Sequence, residues 1–216
     1  MSTSEETRAG KPRPTVKRRP GRTSRTQLKL FESAMVIMSE KGPTATTVDE
    51  IAAKAGVSKG TVYYNFGSKK SMVDGLLRYG VNLVLESIDD AVDEVDDPRE
   101  RLTRATIAAL RFLETQPGFA RLAIAEMWRP NGEASSPVLS EQRGVIIDRV
   151  TELVEDLSEK YEVSPTPDSA SMAVAIFGAT FMLAMDREMN HSARTTQDAT
   201  RAVSKLVDGY ILGPVE

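Results

Sequence analysis

Cysteine is absent from the 216 residues, and histidine occurs once, at position 191. Disulfides and thiolate metal sites are therefore excluded, and no second imidazole is available to complete a transition-metal shell. No run of consecutive apolar residues reaches the ~18 that a bilayer span needs. The N-terminus is polar and charged, without the apolar stretch of a signal peptide. These absences predict a cytoplasmic protein that binds no membrane, metal or other cofactor. No segment alternates apolar and polar residues with a period of two, so no strand is expected. Gly56-Val57-Ser58-Lys59-Gly60 fits G-x-S-x-G literally. The nucleophile elbow of that pattern needs a preceding strand and a His base. A helix precedes it here and His191 is the sole histidine, so hydrolase chemistry is set aside. His191 itself reads as a surface group beyond a helix C-terminus, with ligand or proton sensing as the alternative.

Charge is plentiful but unevenly placed. The net charge is -3, yet residues 1–80 hold 15 Lys and Arg against 7 Asp and Glu, whereas residues 81–216 hold 13 against 24. A basic N-terminal part suits a polyanion, and an acidic remainder stays off it. Residues 1–22, rich in Ser, Thr, Pro and Arg, form a basic arm expected to be disordered in isolation. Such an arm follows a DNA backbone or enters a minor groove; the alternative is a solvated tail. The run Asp89, Asp90, Asp93, Glu94, Asp96 and Asp97 lacks the spacing of a calcium loop and reads as a solvated face.

The most informative stretch is Thr47 to Phe66. Val48, Ile51, Ala52 and Ala55 fall at helical spacing. Thr47 is a predicted N-cap, with Glu50 three residues on to close a capping box, and Gly56 is a left-handed stop. Ser58 caps a second short helix that turns Val62 inward and leaves Lys59, Thr61, Tyr63 and Tyr64 outward. Two such helices joined by a turn make a helix-turn-helix, whose second helix lies in the DNA major groove.

V-S-K-G-T-V-Y-Y-N-F followed by G-S-K-K resembles the DNA-binding signature of the TetR family of bacterial transcriptional repressors. The resemblance covers about Arg25 to Leu77 and departs from the commoner residues at Asn65 and Lys70. It implies an all-α protein with a three-helix DNA-binding head (23–67) and a roughly six-helix effector-binding and dimerisation body (68–216). The expected function is a ligand-responsive homodimeric repressor, located with the bacterial nucleoid. It would bind double-stranded DNA at a palindromic operator and be released by a small, mostly apolar effector. Lys59, Gly60, Thr61 and Tyr63 are expected at base edges. Arg22, Arg25, Thr47, Tyr64, Asn65 and Lys69 are expected at the backbone, which sets register without carrying sequence information.

Before and after this stretch the chain reads as helices over about 24–41, 68–95, 97–115, 119–127, 137–161, 168–189 and 196–212. The long helix 68–95 is expected to join head to body. Leu83, Phe112, Phe119, Met127, Trp128, Phe177 and Phe181 are soft apolar residues of the kind that line adaptable pockets, and equally of the kind that fill a core. Arg104, Arg111 and Arg121 are the cations placed to meet an anionic group. The helix 168–189 is apolar on nearly all sides, so it is expected to be buried in the subunit or against a partner. Ala175, Gly178, Ala179 and Met182, with Val203, Leu206 and Tyr210 of the last helix, are the expected dimer interface. Two readings from other classes compete: a helix-turn-helix that docks proteins rather than DNA, and an α-helical enzyme.

Overall fold

The computed structural model describes residues 25–127, 137–190 and 193–214. Arg22 and the arm 1–22, Trp128, the loop 131–136 and His191 lie outside them.

The head is built from caps and one apolar stripe. In α1 (Arg25–Lys41), Leu30, Phe31, Ala34, Ile37 and Met38 recur three and four apart, and all are buried. In α2 (Val48–Ala55) the Thr47 hydroxyl accepts from the Glu50 amide at 3.3 Å, and the Thr47 amide donates to the Glu50 carboxylate at 3.0 Å. That is the expected capping box. Gly56 follows at φ +68°, a left-handed conformation that costs glycine nothing. α3 (Lys59–Phe66) begins at Ser58, whose hydroxyl accepts from the Thr61 amide. It buries Val62 and sets Phe66 against Phe31, ring centres 5.3 Å apart.

α4 (Lys69–Val92) leaves the head and runs into the body. Its 24 residues span about 36 Å at 1.5 Å per residue. It stops three residues short of the expected end. Asp89, Asp90, Asp93 and Glu94 crowd negative charge at the helix's own negative pole, and Glu94 turns left-handed at φ 60°. Beyond it come α5 (Pro98–Thr115), α6 (Pro117–Met127), α7 (Pro137–Glu155), α8 (Ser169–Asn190) and α9 (Thr196–Tyr210). α5 lies along α4, and α7 packs on both α4 and α8. One continuous apolar cluster runs from Leu30 in α1 to Val207 in α9.

The C-terminal part corrects two expectations. α7 ends at Glu155 rather than Tyr161, passes through a 3-10 turn (Asp156–Glu159) and enters a strand, β1 (Tyr161–Val163). β1 pairs antiparallel with β2 (Ile211–Pro214), Tyr161 opposite Pro214 and Val163 opposite Ile211. α9 accordingly stops at Tyr210, not Leu212. The Tyr161 hydroxyl donates to Asp97 at 2.7 Å, tying β1 to the start of α5. Strands of three and four residues are too short to show alternation in the sequence.

α8 presents two different faces within the subunit. Although its unbroken apolar runs are shorter than the ~18 residues of a bilayer span, its 22 residues have the length and mean hydropathy of one. Met172, Ala173, Ile176, Thr180, Ala184 and Met185 form one buried face. Ala175, Val174, Met182 and Met189 are exposed on the other. Within the subunit it is therefore buried on one face and bare on the other.

Candidate nucleic-acid interface and body cavity

On the head, α3 offers a short exposed platform. Tyr64 is 91% exposed and Tyr63 43%, unusual for aromatic rings outside a contact surface. Lys59 and Gly60 are exposed in the first turn. The Lys59 ammonium lies 2.9 Å from the Asp49 carboxylate of α2, which holds the lysine's pKa above its ordinary value. Both partners are exposed, so the pair is screened by salt and readily exchanged for another anion. Thr61 is half-buried with its hydroxyl 2.9 Å from that of Ser58. Asn65 donates one side-chain N–H to the Thr61 carbonyl at 2.8 Å, leaving the other free for a second acceptor.

Lys69, the first residue of α4, donates to the Thr46 carbonyl at 2.9 Å. That bond draws the start of α4 against the start of α2, so Lys69 and Thr47 share one edge of the head. Arg25 is exposed at the start of α1. Glu50 supports the same edge from behind. A hydrogen bond from Lys41, joined by those of Thr47, lowers its pKa from 4.5 to about 2.

The body encloses a cavity of ≈ 100 Å³. Its wall takes Leu77, Val81, Val84 and Ile88 from α4, and Phe119, Ala123 and Met127 from α6. α5, α7 and α8 complete it, with Phe177 and Phe181 on α8. Four of the expected effector residues, Phe119, Met127, Phe177 and Phe181, are thus brought together. Leu83, Arg104, Arg111 and Phe112 are not. Leu83 packs against the core beside the cavity. Phe112 is buried edge-on to Phe119, ring centres 5.7 Å apart. Arg104 lies on the surface, paired with Glu100 one turn earlier at 2.9 Å, and Arg111 is exposed. Arg121 is committed elsewhere: it donates to Glu188 of α8 at 2.5 Å and to the Ser39 carbonyl of α1 at 2.6 Å.

The polar groups at the cavity are instead Thr106, Gln142, Arg143 and Thr180, none of them anticipated. A signal existed in α7. Leu139, Gln142, Arg143, Ile146 and Val150 fall three and four apart, so two polar side chains stand in an otherwise apolar stripe.

One contact fastens this cavity wall to the head, and a second locks its two helices together. A Cβ at Gly118 of α6 would lie 2.1 Å from the Met35 carbonyl oxygen, so α6 crosses α1 at backbone contact. A Cβ at Gly80 of α4 would lie 2.2 Å from the Phe119 ring, so that ring fills a notch in α4.

Of the expected interface residues, Val203 and Tyr210 are corrected to subunit core, at 1% and 3% exposure. They lie on the inward stripe of α9 with Ala199 and Val207. Ala175, Met182 and Leu206 are exposed. Ala179 is half-buried against the core, and nothing lies within 4 Å of a Cβ at Gly178.

The family model described as "Bacterial regulatory proteins, tetR family" matches residues 30–76. The transcriptional repressor KstR2 of Mycobacterium tuberculosis is 39% identical over 85 residues, 39% of this chain and 42% of the relative. The chain thus spans less than half the length of that relative. Over most of the chain the likeness is one of fold. The fatty acid degradation regulator FadR of Bacillus halodurans superposes with a TM-score of 0.76 at 19% identity, covering 88% of this chain and 97% of that one. FadR of Bacillus subtilis, solved in complex with stearoyl-CoA, gives 0.71 at 20%, covering 84% and 98%. These are similarities to regulators of transcription, not to enzymes. Residues 30–76 match the DNA-binding model of the TetR family, and the body shares the fold of TetR-like regulators.

Proposed function

We propose that the protein is a homodimeric repressor that holds a two-fold symmetric operator and lets go when an apolar small molecule enters the body. The observation that carries this reading is the position of the cavity. Two of its walls are the helices that hold the head: α4 continues directly from it, and α6 grips α1 through Gly118 against Met35 and Arg121 on Ser39. Its ≈ 100 Å³ is well below the ~300 Å³ at which ligand pockets begin. A ligand of ordinary size therefore enters only by pushing the walls apart, and the head moves with them. The ligand-free protein is the DNA-binding form in this scheme, and the effector selects the expanded one.

In this reading residues 23–67 are the DNA-binding head and 68–216 the body of a cytoplasmic regulator. Lys59, Gly60, Thr61 and Tyr63 face base edges, and Arg25, Thr47, Tyr64, Asn65 and Lys69 face phosphates. The second subunit covers the bare strip of Val174, Ala175, Gly178 and Met182 on α8 and Leu206 on α9, whose large apolar side chains are 40–52% exposed. Two coupled heads then read two half-sites. The two FadR relatives, one of them carrying stearoyl-CoA, favour an effector with an acyl chain.

The test is selection of bound fragments from a random DNA pool with the full-length protein, followed by fluorescence polarisation while acyl compounds are titrated in. A palindromic site whose complex dissociates with saturable dependence on one of them is the expected result. An asymmetric site, or a complex indifferent to every acyl compound, refutes the scheme.

A further inference from the structure

Resting on the reading of the cavity as the effector site, the effector's polar chemistry follows from three side chains in its wall. Thr180 of α8 is 93% buried by its 7% exposure, and its hydroxyl has no hydrogen-bond partner. Its conformation is unusual within this protein. Thr103, Thr106, Thr115, Thr151 and Thr200 all donate to the carbonyl four residues earlier, at 2.8–3.0 Å. That is the ordinary fate of a helical threonine, and Thr180 forgoes it. Gln142 of α7 is also 7% exposed and lines the same cavity. Its amide makes no hydrogen bond among the described residues. A buried hydroxyl left unmatched is costly, and valine at position 180 would fill the same space without that cost. Arg143, next along α7, lines the cavity but is itself exposed, so it stands at the mouth with no ion-pair partner among the described residues.

We infer that the effector is an amphiphile with three parts: an apolar body, an anionic end at Arg143, and a second, uncharged oxygen function met inside by Thr180 and Gln142. A hydroxyl or ketone a few bonds from the anion fits, because Gln142 and Arg143 are consecutive residues with α-carbons about 3.8 Å apart. Thr180 both donates and accepts, so either oxygen function is served. The anion has two possible sources, a free carboxylate or the phosphates of a coenzyme A thioester.

Calorimetry on the full-length protein tests this with decanoate, 3-hydroxydecanoate, the methyl ester of the latter, and 3-hydroxydecanoyl-CoA. The hydroxy acid is expected to bind about tenfold more tightly than decanoate, the yield of one net neutral hydrogen bond. Thr180→Val erases that preference while leaving decanoate binding unchanged, and Thr180→Ser restores it, which separates loss of the hydroxyl from misfolding. Arg143→Gln weakens both acids about tenfold or more and leaves the methyl ester unaffected. Tighter binding of the thioester than of the free hydroxy acid, lost in Arg143→Gln, assigns the anion to the phosphates, and the reverse order assigns it to the carboxylate. Equal binding of decanoate and 3-hydroxydecanoate, or a preference that survives Thr180→Val, overturns the inference. Water would then be the partner of these groups, and the cavity would still be an effector site. Failure of all four probes to bind refutes both the inference and the effector reading beneath it.

Discussion

Replacing Gly118 with alanine adds one methyl group where the structure has no room for it. The new Cβ would lie 2.1 Å from the Met35 carbonyl oxygen and 2.9 Å from its carbonyl carbon. A carbon and an oxygen in van der Waals contact need more than 3 Å, roughly, as the ~3.3 Å of even a close C–H···O contact shows. The obstructing atoms are backbone, so no rotamer change relieves the clash. α6 must back away from α1 by about 1 Å, at the ~1–3 kcal/mol typical of an overpacked core. Gly118 stands in the first turn of α6, where the helix propensity gained with alanine offsets little of this. Gly144→Ala, in the middle of α7, is the matched control. Nothing lies within 4 Å of its Cβ in the subunit, so it should gain up to ~1 kcal/mol from helix propensity alone. Thermal melting measures the stability of both variants, and fluorescence polarisation measures their affinity for the selected operator. Gly118→Ala should lose stability and, because the α6–α1 contact fixes the head, lose operator affinity beyond what unfolding explains. Folded Gly118→Ala protein that binds operator like the wild type would refute α6 as the link between cavity and head.

Gly178→Leu should act on the dimer alone: the subunit stays folded, but a wedge on the α8 strip yields monomers by sedimentation and abolishes tight operator binding. Lys59→Ala should flatten discrimination at one base pair by about tenfold, whereas Lys69→Ala should weaken good and poor operators alike. Competition polarisation with single-base variants separates the two, and a change of preferred sequence in Lys69→Ala would reverse the assignment. Glu50 has a folded pKa depressed from 4.5 to about 2, so its stabilisation is complete above about 4.5 and lost as pH falls towards 2. Glu50→Gln keeps the capping hydrogen bond but not the charge. It should therefore melt lower than wild type at neutral pH and low salt, with the gap closing as pH falls towards 2; a gap independent of pH would contradict the ionic origin.

The head was legible because its determinants are local. Thr47, Glu50, Gly56 and Ser58 act within three or four residues of themselves, and each does in the structure what its spacing implied. The cavity was only half legible, since its wall comes from five helices and no spacing within one of them says what faces across. Phe112 and Phe119 look alike in sequence. α6 turns Phe119 into the cavity, while α5 turns Phe112 into the packing behind it. Arg104, Arg111 and Arg121 were singled out for their charge, but nearby carboxylates and the surface claimed Arg104 and Arg121 first. Val203 and Tyr210 were placed at an interface because α9 was expected there. The helix has one apolar stripe, of Ala199, Val203, Val207 and Tyr210, and the subunit's own core takes it.

The cavity's small size bears on how a signal reaches the head. Moving a two-state protein from one part in a hundred to ninety-nine requires a ligand that prefers the second state by about 5.5 kcal/mol. Burial of apolar chain contributes about 0.8 kcal/mol per methylene. About seven methylenes accommodated only in the expanded state would therefore suffice, without any new polar contact at the moving walls. A cavity of ≈ 100 Å³ excludes a chain of that length. The small cavity is thus what makes the preference steep, since space already present for the chain would allow binding without favouring either state. Thr180, Gln142 and Arg143 belong to α7 and α8 rather than to α4 or α6. They set which molecule enters, while its apolar bulk does the displacing.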